Sequence, residues 1–226
     1  GVDIVACIEN DPDAAQTLRI NNGLLGADVL EKDIKEVDFR VWSNTEPSVL
    51  IGGSPCQPFS KNGYWVKNDN RLIEHDPRNM LGQFVRALGE MLPTGFLFEN
   101  VESILHPTNK STFEAFVEEA EAHGYACTVF RTNSADFGVP QKRKRVFVFG
   151  VKGGGTAIPC PVGRYADPKK PRQMNGHAPY VGVGDFIAPY AGPEFSEPQE
   201  DASGGTYYQE LLNVPSGRNY IGLRDV

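Results

Sequence analysis

A short apolar run that stops on two glycines constrains this chain more than any other stretch. Ser48-Val49-Leu50-Ile51 is partly β-branched, and Gly52-Gly53-Ser54-Pro55-Cys56-Gln57-Pro58-Phe59-Ser60 follows it directly. The run reads as a buried strand of an α/β sheet that ends abruptly. Cys56 then lies just past the carboxyl end of that strand, the edge at which open α/β sheets bind ligands. A free cysteine is most often a small buried hydrophobe. That reading calls for an apolar neighbourhood, whereas the residues around Cys56 form a turn stiffened by prolines at 55 and 58. A thiol on such a turn is aimed outward, and its position favours a nucleophile.

The rest of the chain builds an α/β frame around this turn. Val2 to Glu9 reads as a strand with no loop or cap before it, which suggests sequence upstream. Asp11 is a good N-cap and Pro12 suits the first helical position, so a helix runs to about Asn22 and stops at Gly23. Glu9 therefore ends a strand where an acid commonly binds the hydroxyls of a nucleotide ribose, with a plain surface acid as the equal alternative. Ala27–Leu30 is a second strand, leading to Glu31-Lys32-Asp33-Ile34 and another acid at a strand end. Strand, helix, strand, strand with acids at the ends is the pattern of a nucleotide-type cofactor site on a doubly wound sheet.

Residues 61–77 are polar with interspersed aromatics and are long for a plain connection, which suits a lid. Arg78–Met91 reads as a helix with Met80, Leu81, Phe84, Val85, Leu88 and Met91 on one face. Phe96-Leu97-Phe98 is a short buried strand, terminated by the carboxylate of Glu99. Ser111-x-x-Glu114 is a capping box, opening a helix that buries Phe113, Phe116, Val117 and Ala120. Tyr125–Thr132 and Val146–Phe149 are further strands. After Gly150 the sequence turns rich in glycine and proline, and only 184–187 and 207–212 look like short ordered pieces. A domain boundary is placed near 152, giving a first domain 1–151 and the start of a second at 152–226.

Composition narrows the function classes. The four cysteines (Cys7, Cys56, Cys127, Cys160) are scattered with no CxxC pair, which argues for a reducing cytoplasm and against a disulfide frame or a metal site. No apolar run approaches the length of a membrane span, and no signal peptide is visible. A net charge of −7 argues mildly against a polyanionic partner. The positive charge is clustered, however: Lys142, Arg143, Lys144 and Arg145 are consecutive, and Lys169, Lys170 and Arg172 follow. Such a patch can serve nucleic acid on an acidic chain, or be a solvated face.

Cys56, Glu99 and Gln141-x-Arg143-x-Arg145 together offer a thiolate, a carboxyl group and a guanidinium pair. Covalent attack on a pyrimidine needs these: a thiolate to add at C6, an acid near N3 to relieve the developing charge, and an arginine fork for O2 or a flanking phosphate. Here the sequence resembles the DNA cytosine-5 methyltransferase family. Ser54-Pro55-Cys56-Gln57-Pro58-Phe59-Ser60 is similar to its nucleophile motif, Glu99-Asn100-Val101 to its acid motif, and Gln141-x-Arg143-x-Arg145, preceded by Asp136-Phe137-Gly138-Val139-Pro140, to its arginine motif. Asp76-Pro77-Arg78-Asn79-Met80-Leu81 resembles the segment that closes its catalytic loop. The motifs stand in family order over residues 1–150.

The resemblance implies a doubly wound, Rossmann-like S-adenosylmethionine-dependent methyltransferase sheet with helices on both faces, followed by the start of a loop-rich target-recognition domain. It implies S-adenosylmethionine as cofactor, with Glu9 and Asn10 at the ribose, Asp33 at the adenine amino group, and Ile34, Pro55 and Leu81 lining the pocket. Cys56, Glu99, Arg143 and Arg145 would be catalytic. Gln57, Ser60, Gln141, Arg143 and Arg145 would contact double-stranded DNA, and the loop 57–77 would close over a flipped cytosine. It further suits a cytoplasmic, nucleoid-associated monomer, with or without a cognate restriction endonuclease as functional partner. Two departures stand out. The family's Phe-x-Gly-x-Gly cofactor loop, which precedes the strand at 2–9, is absent, as is its closing Asn-Ala/Ser-Val motif. Residues 1–226 are thus expected to be an internal fragment that binds the cofactor weakly and methylates little. Three rivals are a tRNA cytosine-5 methyltransferase of the same fold, a non-catalytic DNA-binding relative, and a cysteine hydrolase. The hydrolase needs a histidine base, and none of His75, His106, His123 and His177 is a compelling partner for Cys56.

Overall fold

The structure is a computed structural model that describes residues 3–21, 23, 26–43, 45, 47–55, 80–154, 158–170 and 174–190. Cys56, Gln57 and Ser60, the polar stretch 61–77 and the segment 207–212 lie outside the described residues. The chain divides into two compact units, Gly1–Tyr180 and Val181–Val226. The boundary expected near 152 falls inside the first of them.

In the first unit, strand β1 (Ala6–Glu9) passes into helix α1 (Pro12–Ile20) through the cap that its residues dictate. Asp11 is extended and its side chain accepts from the amide of Ala14 at 2.9 Å, while Pro12 occupies a position that needs no donor. Strand β2 (Asp28–Glu31) returns parallel to β1, in register from Ala6 opposite Asp28 to Glu9 opposite Glu31. Strand β3 (Val49–Gly52) lies at the edge of a four-stranded sheet with β4 (Gly95–Val101), β5 (Tyr125–Asn133) and β6 (Lys144–Lys152), in the order β3-β4-β6-β5. β3 is parallel to β4, and β6 is antiparallel to both of its neighbours.

Helices α2 (Leu81–Met91) and α3 (Lys110–Ala122) pack on this sheet through aromatic side chains. Phe84 of α2 meets Phe96 and Phe98 of β4 edge-on, at 5.8 and 5.2 Å between ring centroids, and Phe98 meets Phe116 of α3 at 4.6 Å. These rings fall in the range where aromatic geometry adds to area burial. Gly150 stands opposite Phe96, and a Cβ there would come within 2.0 Å of the Phe96 ring. The glycine is what lets that ring lie across β6.

Three elements differ from the sequence reading. The strand read at 96–98 runs from Gly95 to Val101, so Glu99 sits inside β4 rather than ending it. The reason is β6, whose residues offer ladder partners as far as Arg145 opposite Val101. The capping box at Ser111 is not formed. Helix α3 starts two residues earlier than that cap implies, at Lys110, behind Asn109, whose side-chain amide donates to the Ser103 carbonyl at 2.8 Å. Glu114 instead faces Lys110 at 3.2 Å. The helix expected from Arg78 is described from Leu81. Beyond 152, the strand pair β7 (Tyr165–Ala166) and β8 (Ala178–Pro179) is parallel. It is tied to the 134–142 segment by the Arg164 amide on the Asp136 carbonyl at 2.8 Å. In the second unit, helix α4 (Val183–Ile187) covers the short piece expected at 184–187.

Candidate active site

Side-chain alternation in β4 turns Phe96, Phe98 and the fully buried Asn100 toward the helices and sends Glu99 to the opposite face. On β6 the same rule buries Val146 and Val148 and leaves Arg145 on the face of Glu99. Glu99 stands opposite Phe147, and Arg145 stands opposite Val101, so the two are diagonal neighbours across the strands. Arg145 Nε donates to Glu99 Oε1 at 2.6 Å, and Nη1 donates to the Lys144 carbonyl at 2.7 Å. The side chain of Arg145 is 19% exposed and that of Glu99 is 39% exposed, a half-buried charge-assisted bond rather than a loose surface pair.

The turn that leads to Cys56 is fastened to the same strand. A Cβ on Gly53 would come within 2.8 Å of the Glu99 carbonyl oxygen and 3.1 Å of its Oε2, so only glycine lets β4 approach there. Asn100 donates from Nδ2 to both the carbonyl and the hydroxyl of Ser54, each at 3.2 Å, and its Oδ1 accepts from the Val101 amide at 2.8 Å. Sequence reasoning used Asn100 only as part of a motif. Its signal was an amide side chain at an inward position of a buried strand, which demands polar partners. Pro55 is exposed beside this turn. Of the other cysteines, Cys160 is exposed, Cys7 is half-buried on β1, and burial pushes the Cys127 thiol up to about 11, which keeps it protonated at neutral pH.

The basic run separates into different environments. Lys142 binds Asp167 at 3.0 Å and lies over the Tyr180 ring at 5.6 Å. That ammonium holds the Asp167 carboxyl below the usual range. Lys144 faces Glu102 at 3.6 Å. Arg143 lies just before β6, its amide on Ser134 Oγ at 3.1 Å, and its exposed guanidinium has no partner among the described residues. Gln141 is exposed, and its carbonyl accepts from the Ser134 hydroxyl. Arg145→Ala is therefore expected to lower turnover at least tenfold more than Lys144→Ala, because only the first change frees Glu99. Steady-state rates of the two variants check this, and equal small effects would favour a solvated face.

On the two-stranded sheet, two acids sit at or just past the carboxyl ends of its parallel strands. Glu9 Oε1 accepts from the amides of Asn10 and Asp11, both at 2.9 Å, ahead of α1. Its other oxygen has no partner among the described residues. The neighbouring Glu31 is neutralised by Arg19 at 2.8 Å. Asp33 Oδ1 caps a short 3-10 turn, Ile34–Glu36, through the Lys35 amide at 2.9 Å, and its second oxygen is also unengaged there. Two carboxylates so oriented, each with one oxygen free, suit the hydroxyl pair and the amino group of an adenosine. Ile34 packs on the Val37–Phe39–Ala87 cluster, and Leu81 is buried at the start of α2.

Comparison with known proteins bears on this geometry. A family model described as C-5 cytosine-specific DNA methylase matches residues 1–203. The Type II methyltransferase M.SacI of Streptomyces achromogenes is 32% identical over 182 residues, covering 80% of this chain and 45% of the relative. M.AquIA of Picosynechococcus, also a Type II methyltransferase, is 34% identical over 171 residues, covering 69% and 66%. The chain thus spans between about half and two thirds of the length of these relatives. Among solved structures, a DNA modification methyltransferase encoded within an E. coli prophage aligns with a TM-score of 0.60 at 23% identity, over 96% of this chain and 60% of that one. The Dnmt2 methyltransferase of S. pombe aligns with a TM-score of 0.51 at 21% identity, over 69% and 44%. These structural likenesses establish an α/β methyltransferase fold, and the match over residues 1–203 places the chain in the C-5 cytosine-specific DNA methylase family.

Proposed function

We propose that the protein transfers a methyl group from S-adenosylmethionine to C5 of cytosine in double-stranded DNA, with Cys56 as the covalent nucleophile and the target base flipped out of the helix. The observation that carries this reading is the Glu99–Arg145 pair, set against the Gly53-Ser54 turn that Asn100 holds two residues before Cys56. S-adenosylmethionine, when bound, supplies the electrophilic methyl group that C5 accepts. The chain's own residues do the rest. The Cys56 thiolate adds to C6, the C5=C6 electron pair moves to C4–C5, and the C4=N3 pair moves onto N3. Glu99 delivers or shares the proton that neutralises N3. Arg145 fixes the Glu99 carboxyl through one oxygen and leaves the other for the base. Arg143, exposed and unpartnered among the described residues, is free to meet a phosphate. Once C5 carries the methyl group, N3 returns its proton to Glu99, a solvent water takes the proton from C5, the C5=C6 bond re-forms and Cys56 departs as thiolate. Glu9 and Asn10 would hold the ribose, Asp33 the adenine amino group, with Ile34, Pro55 and Leu81 around the ring.

On this reading Gln57, Ser60 and Gln141 also face the DNA, the enzyme acts as a monomer, and a cognate restriction endonuclease is its functional partner. The direct test supplies full-length protein with methyl-labelled S-adenosylmethionine and either duplex DNA or tRNA. Label is expected in DNA, recovered on nuclease digestion as 5-methylcytosine. Label in tRNA alone would transfer the substrate to the RNA rival, and label on the exocyclic amine would reject the chemistry.

A further inference from the structure

The turn that carries Asp33 and Ile34 has little backbone pairing of its own. It runs through two short 3-10 turns, Ile34–Glu36 and Phe39–Trp42, and belongs to no sheet. Its outward carbonyls and amides are met instead by two side chains of α2. Arg86 Nη2 donates to the Ile34 carbonyl at 2.7 Å, and Nη1 donates to the Val37 carbonyl at 3.0 Å. Arg86 also spends Nε on Gln83 Oε1 at 2.9 Å and shares Nη1 with Glu90 Oε1 at 2.9 Å. Glu90 turns its second oxygen to the Phe39 amide at 3.0 Å. The guanidinium lies 5.3 Å from the centre of the Phe39 ring. The Arg86 hydrogen bonds, first, and then the Phe39 amide hold the Glu90 carboxyl below the usual range, so it stays ionised at neutral pH.

Beneath this clamp, Val37, Phe39 and Ala87 are buried together, and Ile8 of β1 and Leu50 of β3 pack against them. One small cluster thus joins the strand of Glu9, the turn of Asp33 and the strand that leads to Cys56. Only a planar fork reaches two carbonyls and a carboxylate at once from a single helix position; an ammonium is a point donor.

We propose that Arg86, with Glu90, is a positioning residue for the nucleoside end of the cofactor: the pair holds the 33–39 turn in the shape that lets Asp33 and Ile34 receive adenine. The inference rests on the assignment of that turn to the cofactor. Neither side chain touches the ligand; they act by keeping the receptive shape populated. A turn that spends a tenth of its time in that shape binds tenfold more weakly, because apparent affinity scales with the competent fraction.

The test uses full-length protein and S-adenosylhomocysteine as the probe. Arg86→Lys keeps the charge and removes the fork. It is expected to raise the calorimetric dissociation constant about tenfold, and to speed hydrogen exchange at the amides of Glu36, Val37 and Phe39 while those of β4 and β6 keep their protection. The KM for DNA and the turnover at saturating cofactor should stay within about twofold. Glu90→Gln, a milder change that retains one acceptor, should shift affinity in the same direction by less. Faster exchange in the turn with unchanged probe affinity would overturn the proposal and leave the cofactor reading standing. Loss of protection throughout the sheet would overturn it as well, making the pair a general brace. Asp33→Ala separates the two ideas: if it leaves probe affinity unchanged, the turn is not the adenine site, and both the assignment and the proposal fall.

Discussion

Replacing Cys56 with serine is expected to abolish covalent capture of DNA and to lower turnover by about 10⁴-fold or more, the scale on which removing a covalent nucleophile acts. The readout is full-length protein mixed with duplex DNA that carries 5-fluorocytosine at the target. Fluorine cannot leave C5 as a proton does, so the thiol adduct persists and survives denaturation. Asn100 pins the Ser54 carbonyl and hydroxyl to the strand that holds Glu99, two residues before Cys56. Cys127 is held protonated by burial and is a poor competitor. Cys7 and Cys160 sit on β1 and in the segment before β7. Capture that survives Cys56→Ser, or that maps to any of those three thiols, would remove Cys56 from the mechanism.

Much of this arrangement was legible because its determinants are local. The cap of α1 is written in Asp11 and Pro12, and the place of β3 in a β-branched run that meets glycine, although the strand takes in Gly52 and leaves Val49 and Ile51 exposed where a buried strand was expected. The inward rings of α2 and α3 follow from helical spacing alone. What escaped depends on partners distant in sequence. The length of β4 is set by β6, which lies more than forty residues on and supplies the ladder up to Val101. The start of α3 is a nearer case: Asn109 stands at its N-cap and donates to the Ser103 carbonyl, displacing the cap expected at Ser111. Asn100 and Arg86 look like unremarkable polar residues until Ser54 and the Ile34 and Val37 carbonyls come against them. The basic run at 142–145 read as a single patch, yet the strand begins at Lys144, and only Arg145 is locked to Glu99. The residues expected to attack and to contact the flipped base, Cys56, Gln57 and Ser60, lie outside the described residues.

Glu99→Gln is expected to leave DNA binding nearly intact while single-turnover methylation falls by about two to four orders of magnitude, the usual worth of a positioned acid. Glutamine retains an oxygen that can accept the Arg145 Nε bond, so the diagonal brace between β4 and β6 survives. Its amide presents a donor where the second carboxyl oxygen stood, which can still meet N3 of a bound cytosine. It cannot give up that proton, so the charge arriving on N3 as the thiolate adds stays uncompensated. The loss therefore falls on the chemical step and spares the ground state. Gly53→Ala reaches the same group by another route, since its Cβ would press on the Glu99 carbonyl and carboxylate and move the acid rather than disarm it. The two variants should separate in the fluorocytosine assay: Glu99→Gln accumulates adduct slowly with normal binding, and Gly53→Ala loses adduct and thermal stability together. Unchanged single-turnover rates in Glu99→Gln would reject the acid role and reduce the Glu99–Arg145 bond to a structural tie across the sheet.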